Sequence, residues 1–168
     1  MRARSAAVAM ALGLLSLYPL AASADAPTDV EINAFPCTFS DPVTHLEIGI
    51  WEATGAITDS GTYVRTGSAT SPPDRPLFAP GPYRETFVFT GSQGTFTIAA
   101  EERLSIDQVV SGVWQVRPEG TGAYARSSGH GTVAFFFTPL PNGCSGLINH
   151  FTFSLTGVAS KVGSEPET

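Results

Sequence analysis

The chain has 168 residues, 42% of them hydrophobic and 14% charged, with nine basic residues against 15 acidic ones. A single lysine, Lys161, and this acidic balance leave no basic patch to neutralise phosphates, which excludes nucleic-acid binding and disfavours adhesion to an anionic membrane. The charge is read as a device that keeps the domain soluble.

At the amino end, Arg2 and Arg4 precede an almost wholly apolar run from Ala6 to Leu20, and Ala22-Ser23-Ala24 offers small residues for a peptidase. The run is too short to span a bilayer comfortably and a cleavage site follows it, so residues 1–24 read as a secretory signal. The expectation is a secreted protein, extracellular or periplasmic, without stable membrane insertion. Removing 24 of 168 residues leaves 144, enough for one domain over residues 25–160 followed by a polar, frayed tail at 161–168. Only two cysteines are present, Cys37 and Cys144. In an oxidising compartment they are expected to form one disulfide closing nearly the whole domain. Such a loop of roughly a hundred residues contributes about 4–5 kcal/mol in the chain-entropy view. The rival reading, a catalytic or metal-bound thiolate, finds no CxxC spacing to support it.

Taken in order, Val30, Ile32 and Phe35 suggest a short first strand. From Thr44 to Ala53, Leu46, Ile48 and Ile50 alternate with His45, Glu47 and Gly49, which is the period of a half-buried strand with the aliphatic set inside. Gly55 and Ser60-Gly61 supply turn chemistry, Thr62–Thr66 is rich in strand formers, and Gly67–Pro82 reads as a long proline-rich loop. Tyr83–Thr90 and Thr95–Ala100 form a hairpin across the GSQG turn. AAEERL has helical propensity, but Leu104, Ile106 and Val109 do not make a helical stripe, so a strand, a turn near Ser105–Gln108 and a further strand are expected. Val110–Arg117 places Val110, Gly112, Trp114 and Val116 on one face. Gly131–Thr138 brings Val133, Phe135 and Phe137 together, and Leu147–Val158 does the same for Phe151, Phe153 and Leu155. About eight strands with almost no helix predict an all-β fold, a single antiparallel barrel that leaves no open sheet edge.

The centre of the chain carries a distinctive turn. Gly120-Thr121-Gly122-Ala123-Tyr124 followed by Gly129-His130-Gly131-Thr132 resembles the glycine-rich turn of allene oxide cyclase-like barrels, a superfamily that includes the dirigent proteins. Trp114-Gln115-Val116 and GSQGTFTI look like hairpins of the same superfamily, and the likeness spans Tyr83 to Phe137. What the resemblance implies is an eight-stranded barrel, often with an apolar cavity, in a group that holds an isomerase of unstable fatty-acid epoxides and proteins steering phenol coupling. It carries no catalytic position across. Read physically, Gly120 and Gly122 permit positive φ, Tyr124 folds back to plug the barrel end, and Gly129 and Gly131 let the returning strand kink.

No catalytic constellation stands out. His45, His130 and His150 have no metal-binding spacing, so neither a metal nor a cofactor is expected. His45 and Glu47 share a strand face, yet that face is read as solvent-exposed. Glu85 is the candidate acid or base: it shares a face with Phe87 and Phe89 near a barrel mouth, although the favoured reading leaves it as a rim carboxylate in water. Phe87, Phe89, Trp114 and Tyr124 are the candidate ligand-binding aromatics. Phe136, on the outward face, hints at a homo-oligomer contact. The leading expectation is a non-catalytic secreted barrel that binds a small apolar or aromatic molecule, or a partner, at its mouth. The alternatives are a cyclase or isomerase using Glu85 and a structural or interaction protein.

Overall fold

The computed structural model describes residues 26–38, 46–69, 79–107, 109–137, 151–160 and 162, with backbone alone at 67–69, 136, 137 and 151. Eight strands follow in chain order: β1 (Thr28–Pro36), β2 (Glu47–Gly55), β3 (Asp59–Ala69), β4 (Gly81–Gly91), β5 (Gly94–Leu104), β6 (Val110–Arg117), β7 (Gly129–Phe137) and β8 (Phe151–Ala159). Each pairs antiparallel with the next, and β8 pairs back onto β1, so the expected all-β barrel closes and every strand has two neighbours. The cysteine pairing cannot be read alongside it, because Cys144 lies outside the described residues, as do the signal segment at 1–24, His45, His150 and the tail at 163–168.

The barrel has two unlike ends. At the lower end β2–β3, β4–β5 and β6–β7 connect; at the upper end β1–β2, β3–β4, β5–β6 and β7–β8 connect. The interior is aromatic through the lower and middle levels. Trp51, Tyr63, Phe87, Phe89, Phe96, Trp114 and Tyr124 are all buried. Phe89 stacks on Phe96 at 4.9 Å, Trp51 meets both edge-on at 5.4 and 5.3 Å, and Tyr124 lies 4.8 Å from Phe96. Ring pairs in this range add attraction beyond simple burial.

Glycine makes room for these rings. Gly61 and Gly91 pair with one another beside Trp51, whose indole Nε1 donates to Thr90 O at 3.2 Å. A β-carbon on Gly91 would run into that indole, and one on Gly49 into the Tyr63 ring. The same arrangement recurs across the barrel, where Gly131 pairs with both Trp114 and Gly157 and the Trp114 indole donates to Thr132 O and Thr156 O at 3.0 and 3.2 Å. Gly129 and Gly131 therefore belong to β7 rather than to the turn, and Gly131 serves packing.

The central turn closes the lower end. Gly122, at φ 59°, opens a single 3-10 turn over Gly122–Tyr124; Gly120 is not in the positive region. Thr121 N donates to Thr95 O at 2.8 Å and Ala123 N to Gln93 O at 2.9 Å, which lays this turn against the β4–β5 hairpin. Tyr124 then points into the barrel, and its hydroxyl donates to Asp59 Oδ2 at 2.8 Å. Asp59 also accepts from Ser92 N, Ser92 Oγ and Gln93 N. The expected plug is present, and Asp59 is its latch.

Four local expectations need correction. In β1, Ala34 rather than Phe35 joins Val30 and Ile32 in the core. Ser60 and Gly61 sit within β3, not in a turn. The connection after β3 begins beyond Ala69 and ends at Gly81, so it is shorter than Gly67–Pro82. The largest change is the phase of β2: Glu47, Trp51 and Ala53 point inward, while Leu46 and Ile48 are 40% and 45% exposed. Ile48, Val64 and Val88 line up in register on the outside of β2–β4. The physical reason is that Trp51 demands the interior, and period-two alternation then carries Glu47 inside with it.

Candidate functional site

The upper end of the barrel is polar where the rest is apolar. Glu47 opens β2, Arg65 lies late in β3, Glu85 early in β4 and Glu102 late in β5, and antiparallel order brings all four to one level. Register places Glu47 directly opposite Arg65, and Arg65 opposite Phe87. All four point inward and are exposed by only 0%, 6%, 8% and 6% respectively. Burying four ionisable groups is costly unless they pair and hydrogen-bond.

Arg65 is the hub. Its Nη2 donates to Glu47 Oε2 at 2.7 Å and its Nε to Glu47 Oε1 at 3.1 Å, a two-point grip on one carboxylate. Tyr63 OH donates to the same Glu47 Oε1 at 2.8 Å. The remaining Nη1 pairs with Glu85 Oε1. The guanidinium carbon also stands 4.9 Å from the Phe153 ring centroid, and Phe153 meets Phe87 edge-on at 5.2 Å. Phe87, Phe153 and Tyr63 thus form an aromatic floor under a charged layer.

The electrostatics follow from burial and from this single cation. Burial would strip the Arg65 proton, but Glu85 and Glu47 outweigh it and hold the guanidinium more firmly charged than usual. Burial pushes the Glu47 carboxyl up, opposed by the charge and hydrogen bonds of Arg65 and by the Tyr63 hydroxyl. Tyr63 is itself pushed up, first by burial and then by Glu47. Glu102 is raised well above a glutamate's ordinary 4.5, by burial and by the neighbouring Glu85 and Glu47, with Arg65 pulling the other way. Its carboxyl is therefore biased toward the protonated form, which donates one hydrogen bond and accepts another.

Among the described residues, two buried oxygens of this layer have no partner: Glu85 Oε2 and Glu102 Oε1. Buried polar atoms in folded proteins are nearly always satisfied, so a pair of unsatisfied ones at a barrel end is unusual. The sequence reading anticipated an inward Glu85 only as its less favoured option; the structure makes it a buried ion-pair partner rather than a rim carboxylate in water. Arg65, Glu102 and Tyr63 were not singled out from the sequence, and Glu47 was placed on the wrong face. One charged residue at an inward position near the same end of each of four successive strands, β2 to β5, was the available signal. Among the candidate ligand-binding aromatics, Phe87 borders the charged layer, whereas Phe89, Trp114 and Tyr124 are buried in the barrel core. His130 pairs across to Gln115 in the wall. Among the described residues, no three His, Cys, Asp or Glu side chains converge closely enough to hold a metal ion.

A direct consequence concerns pH. The raised carboxyl of Glu102 stabilises the fold fully below its ordinary 4.5 and loses that contribution as pH rises through the raised value. Glu102→Gln is expected to match the native protein near pH 4 and to exceed it by about 1–2 kcal/mol at pH 8, flattening the stability profile. Urea unfolding at both pH values checks this; parallel profiles would remove Glu102 from the role.

Comparison with protein-family models, with curated proteins and with solved structures finds no match for this chain.

Proposed function

We propose that the chain is a secreted, non-catalytic barrel that holds a small apolar or aromatic molecule at its upper end, with one polar group of that molecule facing Glu85 and Glu102. The observation that carries this reading is the buried pair Glu85 Oε2 and Glu102 Oε1, without a partner among the described residues, at the barrel end where Phe87 is the next inward residue after Glu85 on β4. Concave, mostly apolar sites with a few convergent polar groups are the usual form of small-molecule sites. Because Trp51, Phe89, Phe96 and Tyr124 fill the lower levels, the ligand's place is above Phe87, not deep in the barrel. Kinship with the allene oxide cyclase-like barrels belongs to the same proposal; the central turn and the eight-stranded closure support it. So does secretion, on the pattern of residues 1–24.

Titrating small aromatic probes against intrinsic fluorescence tests the reading. Saturable binding is expected, weakened about tenfold or more by Glu85→Gln, which alters the free acceptor. No saturation by any such probe would overturn it. A neutral acid beside a free carboxylate oxygen also suits proton transfer, which favours the cyclase or isomerase alternative as a second reading. Turnover of a reactive epoxide, lost in Glu85→Gln and Glu102→Gln, would select it.

The proposed Cys37–Cys144 disulfide fits this picture. Cys37 follows β1 directly and its backbone N–H donates to Ile48 O at 2.8 Å, so a bridge there would tie the upper end of β1 to the β7–β8 connection. Thiol labelling of the unfolded, unreduced protein is expected to find no reactive cysteine; two labelled cysteines would refute the bridge.

A further inference from the structure

We infer that the ligand of this upper-end site is an organic cation, a protonated amine on an aromatic or apolar body, seated between Glu85 Oε2 and Glu102 Oε1. The inference rests on the small-molecule reading above and adds the charge of the ligand. It comes from counting charges and lone pairs in the layer. Arg65 contributes one positive charge. Glu47, accepting three hydrogen bonds from Arg65 and Tyr63, and Glu85, paired to Arg65 through Oε1, share that one guanidinium. Among the described residues the layer therefore sets three inward carboxyl groups against one guanidinium. An excess of buried carboxyl groups is costly, and one monocation offsets it.

The three possible ligand charges fare differently. An anion would lie against the Glu85 and Glu102 carboxyls, while Arg65, the only cation in the layer among the described residues, is already gripped by Glu47 and Glu85. A neutral hydroxyl would satisfy both open oxygens, donating to Glu85 and accepting from Glu102, but would add no cation to the excess of carboxyl groups. An ammonium group donates to both oxygens and supplies the second cation. Beneath it, the Phe87 ring lies 5.2 Å from Phe153, whose face is already turned to a cation in Arg65. Glu102 itself is an independent pointer: it is on a separate strand from the Arg65 ion pairs, it is more than nine-tenths buried, and its Oε1 has no partner among the described residues.

The groups that face Glu102 across this layer are Glu85, Arg65 and Glu47, with Tyr63 hydrogen-bonded behind Glu47. As pH rises and Glu102 ionises, attraction for a cation grows while the hydrogen bond donated to a neutral hydroxyl is lost. Amine affinity should therefore rise from pH 5 to pH 8, a range well below the amine's own titration, and alcohol affinity should fall.

Three probes of one size separate these outcomes in calorimetric titrations of the full chain: 2-phenylethylamine, 2-phenylethanol and 3-phenylpropionate. The amine is expected to bind about tenfold or more tightly than the alcohol, and the carboxylate not at all. Glu85→Gln with Glu102→Gln should erase the amine's advantage while the thermal transition shows the variant folded; if that variant fails to fold, the opposite pH trends of amine and alcohol decide alone. Alcohol binding equal to or tighter than the amine overturns the cation and leaves the small-molecule site standing. Binding of none of the three overturns both.

Discussion

Arg65→Ala is expected to lower stability by about 3–5 kcal/mol, the cost of leaving paired buried carboxylates without their cation. The single guanidinium answers Glu47 through two hydrogen bonds and Glu85 through a third, and no other basic side chain among the described residues pairs with either. Since a domain of this size is stable by only about 5–15 kcal/mol, the variant should unfold at a much lower urea concentration. Arg65→Lys should recover little, because an ammonium cannot reach both carboxylates with the same fork. A triple variant, Arg65→Met with Glu47→Gln and Glu85→Gln, should recover most of the loss, since it removes the charges together. Urea midpoints for the three variants check this. A shift below about 1 kcal/mol for Arg65→Ala would mean that the cluster is solvated and that its network does not hold the upper end.

Tyr124→Ala should cost about 3–5 kcal/mol, the usual range for truncating a buried aromatic ring. Tyr124 lies against Phe96 and closes the lower end, so its removal opens the floor of the aromatic stack. Tyr124→Phe isolates the latch and should cost only about 1 kcal/mol, for one hydrogen bond to a partly exposed carboxylate. Asp59 gives this end an acid dependence of its own. Burial pushes its carboxyl up, but hydrogen bonds from Tyr124, Ser92, Ser60 and Gln93 outweigh burial and hold it at about 2, against an ordinary 3.8. A lowered carboxyl stabilises above its ordinary value and loses that contribution as pH falls toward the lowered one. The latch should therefore weaken between pH 4 and pH 2, by about 1–2 kcal/mol once solvent screening at this partly exposed site is allowed for. Tyr124→Phe should show a shallower acid loss. Equal acid slopes in the two proteins would separate Asp59 from the plug.

The two ends respond to pH in opposite senses. Glu102 at the upper end makes the fold stronger as pH falls toward 4.5, and Asp59 at the lower end makes it weaker below 3.8. A stability maximum on the mildly acidic side of neutrality follows from the pair.

The barrel itself was legible in the residues. Alternation in Tyr83–Thr90, Thr95–Ala100 and Val110–Arg117, broken by glycine-rich turns, is a local property, and the strands lie where that pattern places them. The plug was legible too, because a tyrosine two residues after a glycine at a hairpin-like reversal has few places to go but inward. The candidate site was not. Alternation sorts a strand's residues into two sets without saying which set faces the core, and in β2 the aliphatic set, Leu46, Ile48 and Ile50, was the outer one. Glu47, Arg65, Glu85 and Glu102 are separated by 18, 20 and 17 positions, too far apart for any local pattern to link them. Each alone reads as a solvated surface charge. Consecutive antiparallel pairing sets β2 to β5 side by side, and closure through β1 and β8 curls them round an interior, which decides that these charges are buried.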